Sequence, residues 1–88
     1  MNNLRRKKLN DIAKALHMLE GNVEEIHNAI EETRDEEQEA YDRLPEGVQE
    51  AEMGDKMVEA IDHMEEALSL IDDIDIEAIV EELSQAAE

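Results

Sequence analysis

Apolar residues recur at alternating intervals of three and four over the first third of the chain, and this spacing restricts the folds open to it. The stripe consists of Leu9, Ile12, Leu16, Leu19, Val23, Ile26 and Ile30. With Leu9 at position a, these are the a and d positions of a heptad repeat, typical of a coiled-coil helix that packs against another helix. The register continues to Leu44 but becomes polar at Thr33 and Glu37. We predict one long helix over about residues 4–43.

A proline ends this helix, and a second apolar stripe follows it. Pro45 disfavours the helical conformation in the residue before it, so residues 44–54 are predicted as a connector with at most one helical turn. Asp55 is the predicted N-cap of a helix over about residues 55–73. Its apolar stripe includes Met57, Ile61, Met64, Leu68 and Ile71. Acidic residues interrupt the pattern near residue 75, so about residues 76–87 form either a short third helix or a continuation after a kink.

Burial favours a helical hairpin that associates with a second copy. The two stripes meet if the chain folds back after Pro45, which predicts a single all-α domain over residues 1–88, built as an antiparallel hairpin. Two helices bury little apolar surface, and the absence of cysteine excludes disulfides. We therefore predict a homodimeric four-helix bundle in which both stripes supply core or dimer contacts. A monomeric three-helix arrangement is the alternative if residues 75–87 fold back separately.

The net charge of −18 is unevenly distributed. Residues 1–14 carry five basic groups and one acid, whereas residues 15–88 carry three basic groups and 25 acids. Such an acidic body repels nucleic acid and anionic membranes, and it attracts proteins with basic grooves. The basic cluster Arg5–Lys8 either pairs with acids of the C-terminal segment, which we favour, or contacts phosphates as a basic arm.

Membrane and export signals are missing from the sequence. No apolar run approaches the ~20 residues that cross a bilayer. The basic N-terminus is followed by no apolar segment of the kind that secretory signals contain. We expect a soluble cytoplasmic protein.

Motifs for catalysis and metal binding are incomplete. Glu24 and His27 have the Glu-x-x-His spacing of di-iron bundles, but they lie at b and e and no second copy exists. Asp73 and Asp75 resemble the start of a calcium loop, but that loop requires glycine where Ala78 stands. Neither serine lies in a nucleophile turn. We predict no enzymatic activity, no metal site and no cofactor.

The most acidic stretch lies in the second half of the first helix. Its candidate partner-binding residues are Glu31, Glu32, Asp35, Glu36, Glu39 and Asp42. A helix with this density of carboxylates resembles the charge density of duplex DNA, about one charge per 1.7 Å of axis. Such a surface suits the groove of a DNA-binding protein, although an acidic coat also keeps helical bundles soluble. Charge alone favours the solubility interpretation.

Three segments resemble a known group of proteins. They are Leu4-Arg5-Arg6-Lys7-Lys8-Leu9-x-x-Ile12, the stretch from Asp35 through Tyr41-Asp42-Arg43-Leu44-Pro45-Glu46-Gly47 to Gln49, and Met57-Val58-Glu59-Ala60-Ile61. The chain is similar over most of its length to small acidic helical proteins encoded in bacteriophages and prophages. The group has no established activity, so the resemblance implies a phage context and assigns no residue roles.

Two functional hypotheses follow. In the first, the chain is an anti-defence inhibitor of the anti-CRISPR or anti-restriction type, a DNA mimic whose acidic face blocks the basic nucleic-acid groove of a host protein. In the alternative, it is a non-catalytic dimeric helical bundle with a structural or adaptor role.

Overall fold

The computed structural model describes residues 1–88 and contains helices but no strand. The four helices are α1 (Asn3–Asp42), α2 (Glu46–Gln49), α3 (Glu52–Asp72) and α4 (Ile76–Ala86). Helices account for 86% of the chain, so the predicted all-α class with a long first helix is confirmed. None of these helices combines the length and the apolar character that crossing a bilayer requires.

The chain forms two compact units, and α1 contributes to both. The first unit contains residues 1–25 and 74–88, and the second contains residues 26–73. Each is described by itself below. That the whole chain acts as one domain, and that it dimerises, stay predictions from the sequence.

In the first unit, the N-terminal part of α1 and α4 run antiparallel. The guanidinium Nε of Arg6 donates a 2.6 Å hydrogen bond to the carbonyl oxygen of Ala87 at one end, and Glu20 lies close to Glu77 at the other. Ile76 is the buried apolar residue of α4, only 5% exposed. The carboxylate of Asp75 accepts a 2.9 Å hydrogen bond from the backbone N–H of Ala78. Because this bond satisfies one of the free N–H groups at a helix start, α4 begins as a separate helix here.

In the second unit, the C-terminal part of α1 runs antiparallel to α3. His27 and Asp72 meet at one end, where His27 Nε2 lies 3.1 Å from Asp72 Oδ1. At the other end the side-chain amide of Gln49 donates a 2.9 Å hydrogen bond to the carbonyl oxygen of Tyr41. The same carbonyl also accepts a 3.1 Å hydrogen bond from the backbone N–H of Leu44, so both bonds satisfy the end of α1. Of the predicted α3 stripe, Ile61 and Leu68 are buried and the remaining residues are half-buried, namely Met57, Met64 and Ile71.

The connector is more ordered than the sequence predicts. Pro45 precedes the single turn of α2, and α3 begins at Glu52 rather than near residue 55. Asp55 therefore lies in the first turn of α3 and is not its N-cap, which is Ala51. Its carboxylate still favours this end of the helix, because helix N-termini carry partial positive charge. Gly54, the last residue of the predicted connector, is instead buried within α3.

The half-buried side of α1 differs from the predicted stripe at every second position. The a positions are half-buried, as expected for a core stripe: Leu9, Leu16, Val23 and Ile30. The predicted d positions Ile12, Leu19 and Ile26 are exposed, and the neighbouring e positions are half-buried in their place: Ala13, Glu20 and His27. An a-and-e stripe is rotated by about 50° around the helix from an a-and-d stripe. Each unit therefore keeps exposed apolar residues that its own helices do not cover.

Candidate functional site

The predicted partner-binding residues lie on one face of α1. All six are exposed: Glu31, Glu32, Asp35, Glu36, Glu39 and Asp42. At 3.6 residues per turn they occupy an arc of about 140°, which we call the acidic face. Glu37 points the opposite way, is half-buried, and lines an open depression with Met53 and Met57. The acids of this stretch are therefore sorted by helix geometry, and six of them share one surface.

The acidic face forms a shallow open depression along the helix. Asn28 lies at its start and Glu39 towards its end, and the carboxylates between them supply the rest of the lining. From Glu31 to Asp42 the helix rises about 16 Å, which gives roughly one carboxylate per 3 Å. The phosphates of one DNA strand follow each other at about 3.4 Å along the duplex axis. The linear charge spacing of the acidic face is thus close to that of a single nucleic-acid strand, and wider than the spacing of about 1.7 Å in the duplex that the sequence suggested.

Few positive charges neutralise the acidic face. Arg34 lies 2.9 Å from Asp35, and Arg43 approaches Glu39 at 3.8 Å. The hydrogen bond from Arg34 to Asp35, together with the charge of that carboxylate, raises the pKa of Arg34 above its ordinary value. Neither Glu32 nor Glu36 forms an ion pair. The face therefore keeps a strong excess of negative charge at its centre.

The basic cluster Arg5–Lys8 does not form the expected ion pairs with acidic side chains of the C-terminal segment. Arg6 donates to the backbone carbonyl oxygen of Ala87, and it approaches that of Glu88 at 3.4 Å. Lys7 pairs with Asp11 on the same helix at 2.9 Å. The expected pairing with acidic side chains of α4 is thus replaced by contacts with the carbonyl end of that helix, where the helix dipole attracts cations. Arg5 and Lys8 form no ion pair.

The suspected metal motifs do not assemble into sites. His27 contacts Asp72 and lies 3.8 Å from Glu31, so its ring is engaged within the second unit. Asp75 caps α4 with its carboxylate. One residue of each motif, His27 or Asp75, therefore has a structural partner, whereas Glu24 and Asp73 form no ion pair.

A different cluster, absent from the sequence-based predictions, appears in the first unit. His17, Glu20 and Glu77 bring one nitrogen and two oxygen atoms within 4.8 Å of one another. The His-x-x-Glu spacing of His17 and Glu20 is visible in the sequence, because residues three apart share a helix face. The contribution of Glu77 depends on how α4 aligns with α1, which no local pattern indicates.

Apolar surface is also exposed in the second unit. An open groove is lined by Ile26, Ala29, Ile30, Thr33 and Met64. Ile26, a predicted dimer residue, is 54% exposed there.

No protein-family model, curated protein or solved structure matches the chain.

Proposed function

We propose that this chain is a phage-type inhibitor that places its acidic face in the basic nucleic-acid groove of a host defence protein, of the anti-CRISPR or anti-restriction class. The observation that supports this most directly is the arrangement of six exposed carboxylates on one arc of α1. Their spacing approaches that of phosphates along one strand, and three of them form no ion pair, namely Glu32, Glu36 and Asp42. The resemblance to small acidic phage proteins supports the same class.

The mechanism is electrostatic competition. A groove that binds nucleic acid carries Lys and Arg side chains placed for phosphates, and carboxylates at similar intervals engage the same side chains. A helix presents these carboxylates on a rigid backbone, so little backbone entropy is lost on binding. Because the contacts are between exposed charges, we expect affinity to fall steeply with salt and to be lost when duplex DNA competes.

In this function the protein contributes binding alone. It requires no catalytic group and no cofactor, and it acts in the cytoplasm of a bacterial host. Direct contact with nucleic acid is disfavoured by the net charge of −18. The partner is a protein whose groove carries the opposite charge.

The test compares two triple variants in affinity capture from a bacterial lysate. The first is Glu32→Lys, Glu36→Lys and Glu39→Lys on the acidic face. The control is Glu59→Lys, Asp62→Lys and Glu66→Lys, three exposed acids of α3 with nearly the same spacing. Both variants change the net charge equally, so only location differs.

We expect the native chain and the α3 variant to capture a nucleic-acid-processing protein at low salt, and to release it on adding duplex DNA. The acidic-face variant should capture none while keeping its helical circular dichroism. Equal capture by both variants would contradict a mimic centred on α1.

Exposed apolar residues favour a second candidate, the non-catalytic dimeric bundle with a structural or adaptor role. Leu19 is 48% exposed at a predicted dimer position in the first unit. Met18 is 75% exposed on the other side of α1 and serves as a control. In this alternative, Leu19→Glu abolishes the dimer in sedimentation analysis, together with the capture of a salt-tolerant partner, and Met18→Glu changes neither. Partner capture by a monomeric Leu19→Glu variant would argue against the alternative.

A further inference from the structure

Two helices bring an imidazole and two carboxylates together in the first unit. His17 and Glu20 lie one turn apart on α1, and Glu77 lies in the first turn of α4. Their donor atoms are all within 4.8 Å of one another. Glu20 is half-buried between the helices, whereas His17 and Glu77 are exposed. The cluster is therefore open to solvent on the side of His17 and Glu77.

The two carboxylates of this cluster repel each other, and no Lys or Arg forms an ion pair with either of them. Folding thus places two carboxylates beside an imidazole, an arrangement that a bound cation would stabilise.

We propose that His17, Glu20 and Glu77 bind one divalent transition-metal ion of the Zn²⁺ type, which links α1 to α4. One imidazole nitrogen and two carboxylate oxygens are ligands that Zn²⁺ accepts, and three protein ligands leave a fourth position for water. Ca²⁺ prefers six to eight oxygen ligands, and Mg²⁺ requires a nearly octahedral set, so neither suits this cluster. The site is independent of the acidic face and goes beyond the inhibitor function.

Binding requires a small closure of the side chains. Tetrahedral Zn²⁺ with bonds of about 2.0–2.1 Å places its ligand atoms roughly 3.3 Å apart. The donor atoms lie within 4.8 Å, so they must approach one another by up to about an ångström and a half. The exposed side chains of His17 and Glu77 have the rotamer freedom for this movement.

The first measurement is a Zn²⁺ titration of the full chain after treatment with EDTA, followed by NMR of the histidine ring nitrogens. The sequence has three histidines, so three ring systems report separately. Excess Mg²⁺ is present throughout, so that nonspecific association of cations with the acidic surface is already saturated. Under these conditions we expect the signals of His17 to shift first and to saturate near one equivalent of Zn²⁺. The proposal would be overturned if all three histidines responded equally to Zn²⁺, or if His17 did not respond to Zn²⁺ in the presence of excess Mg²⁺.

Variants test the ligand set by calorimetric titration. Loss of a residue that only supports a metal ligand weakens metal binding by roughly 10- to 100-fold. Because His17 and Glu77 are proposed as ligands themselves, His17→Ala and Glu77→Gln should each weaken Zn²⁺ binding by at least this much. His63→Ala removes an exposed histidine of α3 and should leave the affinity unchanged. Native affinity in His17→Ala, or equal loss in His63→Ala, would contradict the assignment.

Glu20→Gln separates a metal ligand from a purely structural carboxylate. The substitution removes the repulsion between Glu20 and Glu77, so the metal-free variant should melt at a higher temperature than the native chain. It also removes a ligand, so the rise in Tm that Zn²⁺ gives the native chain should disappear. A structural role alone predicts the first effect without the second, and persistence of the Zn²⁺-dependent rise would overturn the proposal.

Discussion

The imidazole Nε2 of His27 on α1 lies 3.1 Å from a carboxylate oxygen of Asp72, the last residue of α3. His27 is at an e position, which the heptad pattern places outside the a-and-d stripe. Its side chain is only 24% exposed, and it joins the two helices of the second unit at the end opposite the α2 turn. A polar residue thus occupies a place that the apolar pattern assigns to Ile26.

The contact between His27 and Asp72 should contribute modestly to stability. Asp72→Asn weakens it, whereas Asp73→Asn removes the neighbouring carboxylate, which has no such contact. Both substitutions relieve the unfavourable position of an anion at a helix C-terminus, so their difference isolates the pair. We expect Asp72→Asn to be less stable than Asp73→Asn by up to about 1 kcal/mol in urea denaturation, since Asp72 is largely exposed. Equal stabilities would show that the contact is energetically neutral.

Gly54 and Gly21 should respond oppositely to alanine. A Cβ atom at Gly54 would overlap the backbone carbonyl of Gln49, and backbone cannot move aside as a flexible side chain does. We expect Gly54→Ala to cost about 1–3 kcal/mol, as overpacking does elsewhere. Gly21 lies in α1 with open space around it, so Gly21→Ala should stabilise the helix by roughly 0.5–1 kcal/mol. Thermal unfolding of both variants measures the difference, and a gain in Tm at Gly54 would refute the close contact.

Truncation of Leu68 tests where the core of the second unit lies. Leu68 is 6% exposed on α3, whereas Leu70 on the same helix is 59% exposed. Leu68→Ala leaves a cavity and should cost about 2–5 kcal/mol, a large part of the stability of so small a protein. Leu70→Ala should change the free energy of unfolding by no more than about 0.5 kcal/mol. Comparable losses would mean that the exposed surface of α3 is covered in solution, as a dimer would require.

The pKa of Asp11 should depend more on Lys7 than on Lys14. A hydrogen bond from Lys7, and then the charge of Lys7, hold this pKa below its ordinary value of 3.8, and Lys14 adds a smaller effect. Lys7→Met should raise the pKa of Asp11 towards 3.8, and Lys14→Met should raise it less, as measured by an NMR pH titration. The pair stabilises the folded state above the pKa of Asp11 in the unfolded chain. That stabilisation is lost as the pH falls through the lower, folded value. A larger shift from Lys14→Met would contradict the observed geometry.

Parts of the candidate site could be predicted because they depend on a single helix. The six carboxylates of the acidic face share an arc through the period of the helix alone, and a regular helix over residues 31–42 suffices to place them. The cluster of His17, Glu20 and Glu77 could not be predicted in this way. Its third member lies on another helix, and its distance from His17 depends on the alignment of α4 with α1.

The sequence by itself determined the helical class, the long first helix, its end before Pro45 and the uneven distribution of charge. These features depend on residues within a turn or two of each other, through apolar spacing, helix propensity and the restriction that proline imposes. Only the tertiary structure determined which side of α1 is covered. It also placed Gly54 inside α3 and brought Glu77 close to Glu20. Those outcomes depend on contacts between residues far apart in the chain, such as Arg6 with Ala87, which set the register of one helix against another.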